Sequence, residues 1–203
     1  MRPAHWDEAA KHLAQRDKVL RKLVKNFPDP QWVVRGNAFQ TLARSIVGQQ
    51  ISVKAAQSIW GRFAALAKRV TPANVVALEP TALRACGFSG QKVAYVKDLA
   101  GRFHRGEIKP RRWARMDDEA IIEELVVVKG IGRWTVEMFL IFHMKRPDVF
   151  PVDDLGVRRA MERLYNKGAE LSRAEMREIG APWAPYRSVA TWYLWRSLDN
   201  VTF

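Results

Sequence analysis

Two glycines one residue apart, Gly130 and Gly132, sit between two apolar helical stretches and dictate a tight helix–turn–helix in the second half of this chain. From Glu119 to Val128, apolar residues at 121, 122, 125, 126 and 128 form a helical stripe. Asp117, Asp118 and Glu119 suit the positive end of that helix's dipole. Gly130 and Gly132 then permit backbone angles that other residues resist. A second helix is predicted from about Arg133 to Met144. The first amides of such a helix lack intrahelical partners and can hold a phosphate, and Lys129 and Arg133 add positive charge on either side. An ordinary helix–helix turn would also use two glycines. The longer run Lys129 to Thr135, basic on both flanks, favours the phosphate-binding reading.

The net charge of +13 over 203 residues calls for a polyanionic partner, nucleic acid before an anionic membrane surface. No apolar run reaches transmembrane length, no amphipathic anchor is evident, and the first ten residues do not read as a secretory signal. Hydrophobic residues make up 48%, enough for a substantial core. With Cys86 as the one cysteine, neither an internal disulfide nor a cysteine-ligated zinc or iron–sulfur cluster can form, which points to a reducing interior.

Helix signals dominate. Phe39 to Val47 and Val53 to Leu66 are strongly periodic. Thr71-Pro72 reads as a cap followed by a proline at the first helical position, and Gly87 as a helix stop. Ser89 caps a helix from Gln91 to Arg102, and Ser172 with Glu175 forms a capping box. Arg102 to Arg115 reads as a basic loop, either a solvated linker or a DNA contact. The last helix runs from about Pro185 to Leu198. No repeat, low-complexity segment or Pro/Ser-rich linker interrupts the chain. An all-α domain of nine or ten helices over residues 1–203 follows.

Four separated segments then resemble the helix-hairpin-helix DNA glycosylase superfamily, and within it the alkylation-repair branch of 3-methyladenine DNA glycosylase II. They are Ile46 to Lys54; Cys86 to Lys92; Lys129 to Thr135 with Phe150 to Leu155; and Trp183 to Ser188 running on to Trp195. The resemblance implies two helical lobes flanking a DNA-binding cleft, with the region about 1–35 packing with the C-terminal part and no extra N-terminal sheet domain. It implies a monomer that acts on double-stranded DNA containing damaged bases, needs no cofactor and has no membrane partner. The location would be cytoplasmic and nucleoid-associated in a prokaryote, nuclear in a eukaryote.

The resemblance also assigns roles. The family's catalytic aspartate falls at the third position of Pro151-Val152-Asp153, near the start of a helix whose dipole favours the ionised form. Such an anion stabilises the cation that develops on the sugar as the base departs. Asp153 could instead cap that helix, and Asp154 could equally be the cap. Bifunctional members carry a lysine nucleophile where this chain has Trp134, so water is the expected nucleophile and an abasic site the product. Trp134 and Trp195 are implied as aromatic walls for a cationic alkylated purine, with Met138 on the floor. Gln49, Gln50 and Ser52 would form the turn that fills the gap left by the flipped base, Gln50 inserting where relatives use an apolar residue. Ser52 and Lys54 suit phosphate, and so, more weakly, do Ser89 and Lys92; Lys129, Gly130, Gly132, Arg133 and Thr135 form the hairpin contact. Backbone carbonyls of Val126, Val128 and Ile131 would hold a Na+ or K+ ion. Two further readings stay open: a glycosylase of this fold for deaminated or oxidised bases, and a non-catalytic DNA-binding hairpin protein.

Overall fold

A computed structural model describes residues 2–28, 32 and 36–198. The described residues are helical, with no strand among them. They form two compact units, one from residues 1–34 and 140–203, the other from residues 35–139.

The second unit contains α-helices that we number in chain order after the two N-terminal ones, α1 (Trp6–Arg16) and α2 (Lys18–Asn26): α3 (Ala38–Gly48), α4 (Val53–Ala67), α5 (Pro72–Ala77), α6 (Pro80–Ala85), α7 (Gly90–His104) and α8 (Asp118–Val126). Helix α9 (Arg133–Phe142) begins in this unit. The starts are set by local chemistry. Asn37 and Gln40 close a capping box, Ser52 accepts from the Ala55 amide, Thr71 from Asn74, Ser89 from Lys92 and Asp117 from Ala120. Helix α7 packs on α3, α5 and α6, and its buried Val96 and Leu99 share the core with Leu42, Ile46, Phe63, Val75 and Leu83. The basic stretch after Arg102 is not a plain loop. Helix α7 continues to His104 and a 3-10 helix spans Pro110–Arg115. Trp113 explains the order: its buried ring lies edge-on to Phe139, and its indole N–H donates to Glu124 at 2.9 Å.

The first unit adds α10 (Leu155–Tyr165), α11 (Arg173–Gly180) and α12 (Arg187–Arg196) to α1 and α2. Every residue of α12 from Ser188 to Trp195 is buried, so this helix is the unit's axis rather than an amphipathic surface helix. Trp6 of α1 contacts Trp192 and Tyr193 of α12 with ring centroids 5.1 and 5.5 Å apart. Asp17 joins the N-terminal helices to the later ones. It caps α2 by accepting from the Val19 and Leu20 amides at 2.7 and 3.0 Å, and also accepts from the Tyr165 hydroxyl and the Trp183 indole, each at 2.9 Å. Burial, reinforced by the Asp17 charge, pushes the Tyr165 phenol well above its ordinary range, so it stays a donor.

Asp17→Ala removes the cap and strands two buried donors. A loss of about 2–4 kcal/mol in unfolding free energy is expected from denaturant titration. A loss below about 1 kcal/mol would show that Asp17 does not join these elements.

Candidate active site

The glycine hairpin is built within residues 35–139. After α8 ends, the Val128 amide donates to Leu125 O at 3.1 Å and the Ile131 amide to Val128 O at 3.0 Å. Gly130 turns the chain with φ +79°. A side chain there is excluded twice, by the left-handed backbone and because its Cβ would fall within the Tyr95 ring. Gly132 is different. Its φ is not left-handed, and a Cβ at Gly132 would meet nothing within 4 Å. The Val136 amide donates to Gly132 O at 3.2 Å, so α9 starts immediately after this open position.

Four long-range bonds brace the hairpin and the turn after α3. Gln49 Nε2 donates to Gly130 O at 2.7 Å, and the Lys129 amide donates to Asp98 Oδ2 at 2.9 Å. Lys92 Nζ donates to Val47 O and Gln49 O at 2.8 and 2.7 Å, at the carbonyl end of α3. Burial lowers the Lys92 pKa from its ordinary value. The Gln49 and Lys92 side chains therefore hold the protein to itself, where the sequence suggests Gln49 in a gap-filling turn and Lys92 toward a phosphate. The long-range partners Tyr95 and Asp98 carry no sequence signal of their own.

The remaining predicted DNA contacts divide by exposure. Gln50 is exposed and adopts φ +57°, an uncommon conformation for a non-glycine residue. Lys54 and Lys129 are exposed; Ser52 and Ser89 are exposed caps. Thr135 is buried, with 8% of its surface exposed. Arg133 is paired within the protein, donating to both Glu119 oxygens at 2.6 and 2.7 Å and to Glu137 at 3.2 Å. Those bonds, Glu119 first, raise the guanidinium's pKa, and Arg133 in turn holds Glu119 below the usual carboxylate range. Trp134 at the head of α9 is 49% exposed, and Met138, one turn on, is half-buried. The Val126, Val128 and Ile131 carbonyls lie at and beyond the carbonyl end of α8, the negative end of its dipole. The 3.0 Å bond from the Ile131 amide leaves the Val128 carbonyl a second lone pair.

The adjacent aspartates belong to the first unit, and the structure gives them different environments. Asp153 lies in the turn before α10, exposed and ion-paired with Arg173. Asp154 is the cap of α10, 9% exposed, with Oδ1 accepting from the Val157 amide at 2.7 Å and the Trp195 indole at 2.8 Å. Trp195 is 2% exposed and stacks on Phe142 with centroids 5.6 Å apart. Its position is that of a support for Asp154 more than of an open aromatic wall. Arg187 grips Asp148 with two bonds of 2.7 Å, and Ser188 accepts from the Val149 amide at 2.9 Å, fixing the segment that leads to the aspartates.

An all-helical chain with an open glycine hairpin and an oriented carboxylate at a later helix start has the features of a base-excision protein. Residues 43–185 match the HhH-GPD superfamily of base excision DNA repair proteins, and the chain belongs to that superfamily. It is 35% identical over 193 residues to DNA-3-methyladenine glycosylase 1 of Schizosaccharomyces pombe, covering 92% of this chain and 85% of the relative. Among solved structures, the 3-methyladenine DNA glycosylase of Schizosaccharomyces pombe in complex with abasic DNA matches with a TM-score of 0.78 at 33% identity, covering 97% of this chain and 98% of that one. A DNA-3-methyladenine glycosidase from Bacillus halodurans matches with a TM-score of 0.88 at 32% identity, covering 95% and 89%.

Gly130→Ala is expected to cost about 2–4 kcal/mol, the sum of a left-handed backbone and overpacking against Tyr95. In a Tyr95→Ala background the steric part should vanish, leaving about 1–2 kcal/mol. A double-mutant cycle by thermal unfolding measures the difference, and equal costs in both backgrounds would refute the packing role of Tyr95.

Proposed function

We propose that this chain is a monofunctional DNA glycosylase that flips alkylated purines of the 3-methyladenine and 7-methylguanine type out of duplex DNA and hydrolyses their N-glycosidic bond. The observation that carries the reading is the exposed carboxylate of Asp153, at the family's Pro-x-Asp position just before α10, in a member of this superfamily. Asp153 is exposed, so a flipped nucleotide can reach it, and its surface pair with Arg173 is readily exchanged, whereas Asp154 spends Oδ1 on the α10 cap and the Trp195 indole.

The bond between base and sugar breaks with its electron pair moving to the base. A cationic alkylpurine thereby leaves as a neutral molecule and needs no acid to protonate it. The positive charge passes to the deoxyribose, where a fixed carboxylate stabilises it more effectively than mobile water. Water adds to the anomeric carbon and gives up its proton, and the product is an abasic site. Trp134 cannot form a Schiff base, which supports water as the nucleophile and the absence of lyase chemistry. Its half-exposed indole suits stacking on a cationic base. The open space at Gly132 and the first amides of α9 suit a DNA phosphate, and a Na+ or K+ ion on the Val126, Val128 and Ile131 carbonyls would add positive charge at that turn. The strained, exposed Gln50 suits insertion into the stack. The enzyme would act as a monomer wherever the genome is housed, nucleoid or nucleus.

Base release from methylated duplex DNA tests the reading, with strand breaks scored before and after alkali. The wild type should release 3-methyladenine, with breaks only after alkali. Asp153→Asn removes the charge and should slow release by at least about a hundredfold while duplex binding survives. Asp154→Asn keeps a good cap and should slow release by less than about tenfold; the reverse order would give the role to Asp154. Breaks without alkali would refute monofunctional chemistry, and preferential release of deaminated or oxidised bases would move the substrate class. Gly132→Ala should weaken binding to any duplex with little change in melting temperature; unchanged binding would remove the phosphate contact from the hairpin.

A further inference from the structure

Arg173 is the first residue of α11, where a cation is unfavourable, because the amide end of a helix already carries positive partial charge. The helix start does not depend on it, since Ser172 and Glu175 close a capping box between themselves. The partner of Arg173 is instead Asp153, to which its Nε–H donates. Both side chains stay open to solvent, Arg173 69% and Asp153 48% exposed. Among the described residues each is the other's one side-chain partner, so Asp153 Oδ2 and both Nη groups of Arg173 make no bond within the protein. An exposed ion pair of this kind is weak and opens readily.

We propose that Arg173 is an exchangeable counter-ion: it holds Asp153 while the protein is free and moves to a phosphate of the flipped nucleotide when duplex DNA binds, which frees the carboxylate for the sugar. The role rests on the reading of Asp153 as the reacting carboxylate. A guanidinium bonded to Asp153 offsets the negative charge that a sugar cation needs, so the pair has to open before the base departs. The substrate brings the replacement with it. Phosphates are joined to the sugar through its C3′ and C5′ oxygens, so flipping carries two anions toward the carboxylate together with the anomeric carbon. A guanidinium that leaves a carboxylate for a phosphate keeps a charge-assisted contact of the same forked geometry, so the exchange costs little. Asp153 then becomes an unpaired anion only when a nucleotide is present to use it.

Arg173→Gln removes the charge and Arg173→Lys keeps it. Both are compared with wild type in affinity for a duplex carrying an abasic site over a series of salt concentrations, in single-turnover release of 3-methyladenine at saturating protein, and in melting temperature, with Asp153→Asn alongside. Arg173→Gln is expected to weaken binding by about three- to tenfold and to reduce the slope of log affinity against log salt by about 0.9, the share of one phosphate contact. Arg173→Lys should restore most of that slope. Release at saturation should slow by about two- to threefold in Arg173→Gln, because a phosphate contact is present in ground and transition states alike. The melting temperature should stay within about 2 °C, since an exposed pair contributes little to stability. An unaltered salt slope would overturn the exchange, because the guanidinium then reaches no phosphate. Release faster by about tenfold or more would also overturn it, because Arg173 would then still sit on Asp153 as the sugar becomes positive. Parallel losses of rate, affinity and melting temperature would make Arg173 a structural residue and end the proposal. Any of these three results with a slow Asp153→Asn overturns this inference alone. Wild-type rates in Asp153→Asn overturn the functional reading and this role with it.

Discussion

One carboxylate oxygen, Asp154 Oδ1, accepts from both the start of α10 and the middle of the buried helix α12. A buried carboxylate is costly unless donors surround it, so these bonds hold the two helices in one arrangement. The same oxygen is thereby denied rotational freedom.

The hairpin follows a similar economy with its glycines. Gly130 is required by the protein's own interior, through its left-handed backbone and the Tyr95 ring against it. Gly132 answers to nothing in the folded chain, and its open side is best understood through what approaches from outside. Two glycines that look equivalent in the sequence are thus separable by experiment, one through stability and the other through affinity. The Gln49 bond to Gly130 ties the turn before α4 to this hairpin, and Lys92 secures the same turn from α7. Two segments proposed to meet DNA are therefore braced against each other before any DNA arrives, which reduces the ordering cost of binding.

Much of the fold was legible because helix starts are local. Ser52, Ser89 and Ser172 were read as caps or phosphate-suited starts from their own neighbours, and their bonds reach only three residues ahead. The stretch from Arg102 to Arg115 reads as a loop in the sequence because its order comes from Trp113 packing on distant Phe139 and Glu124. The sequence suggests Gln49 for a gap-filling turn and Lys92 for a phosphate because polar side chains beside a turn usually face water. Their partners lie 81 and 45 residues away.

By itself the sequence determined an all-α chain, the glycine hairpin, the positive charge and the pair of adjacent aspartates. Those properties are written in composition, in periodicity and in contacts over three or four residues. Only the tertiary structure decided that Asp154 is buried as the cap of α10 while Asp153 stays exposed beside Arg173, and that the Trp195 indole donates to the cap. Neighbouring residues at a helix start share nearly all their local chemistry. What separates them is an indole 41 residues further along the chain, and only folding brings it there.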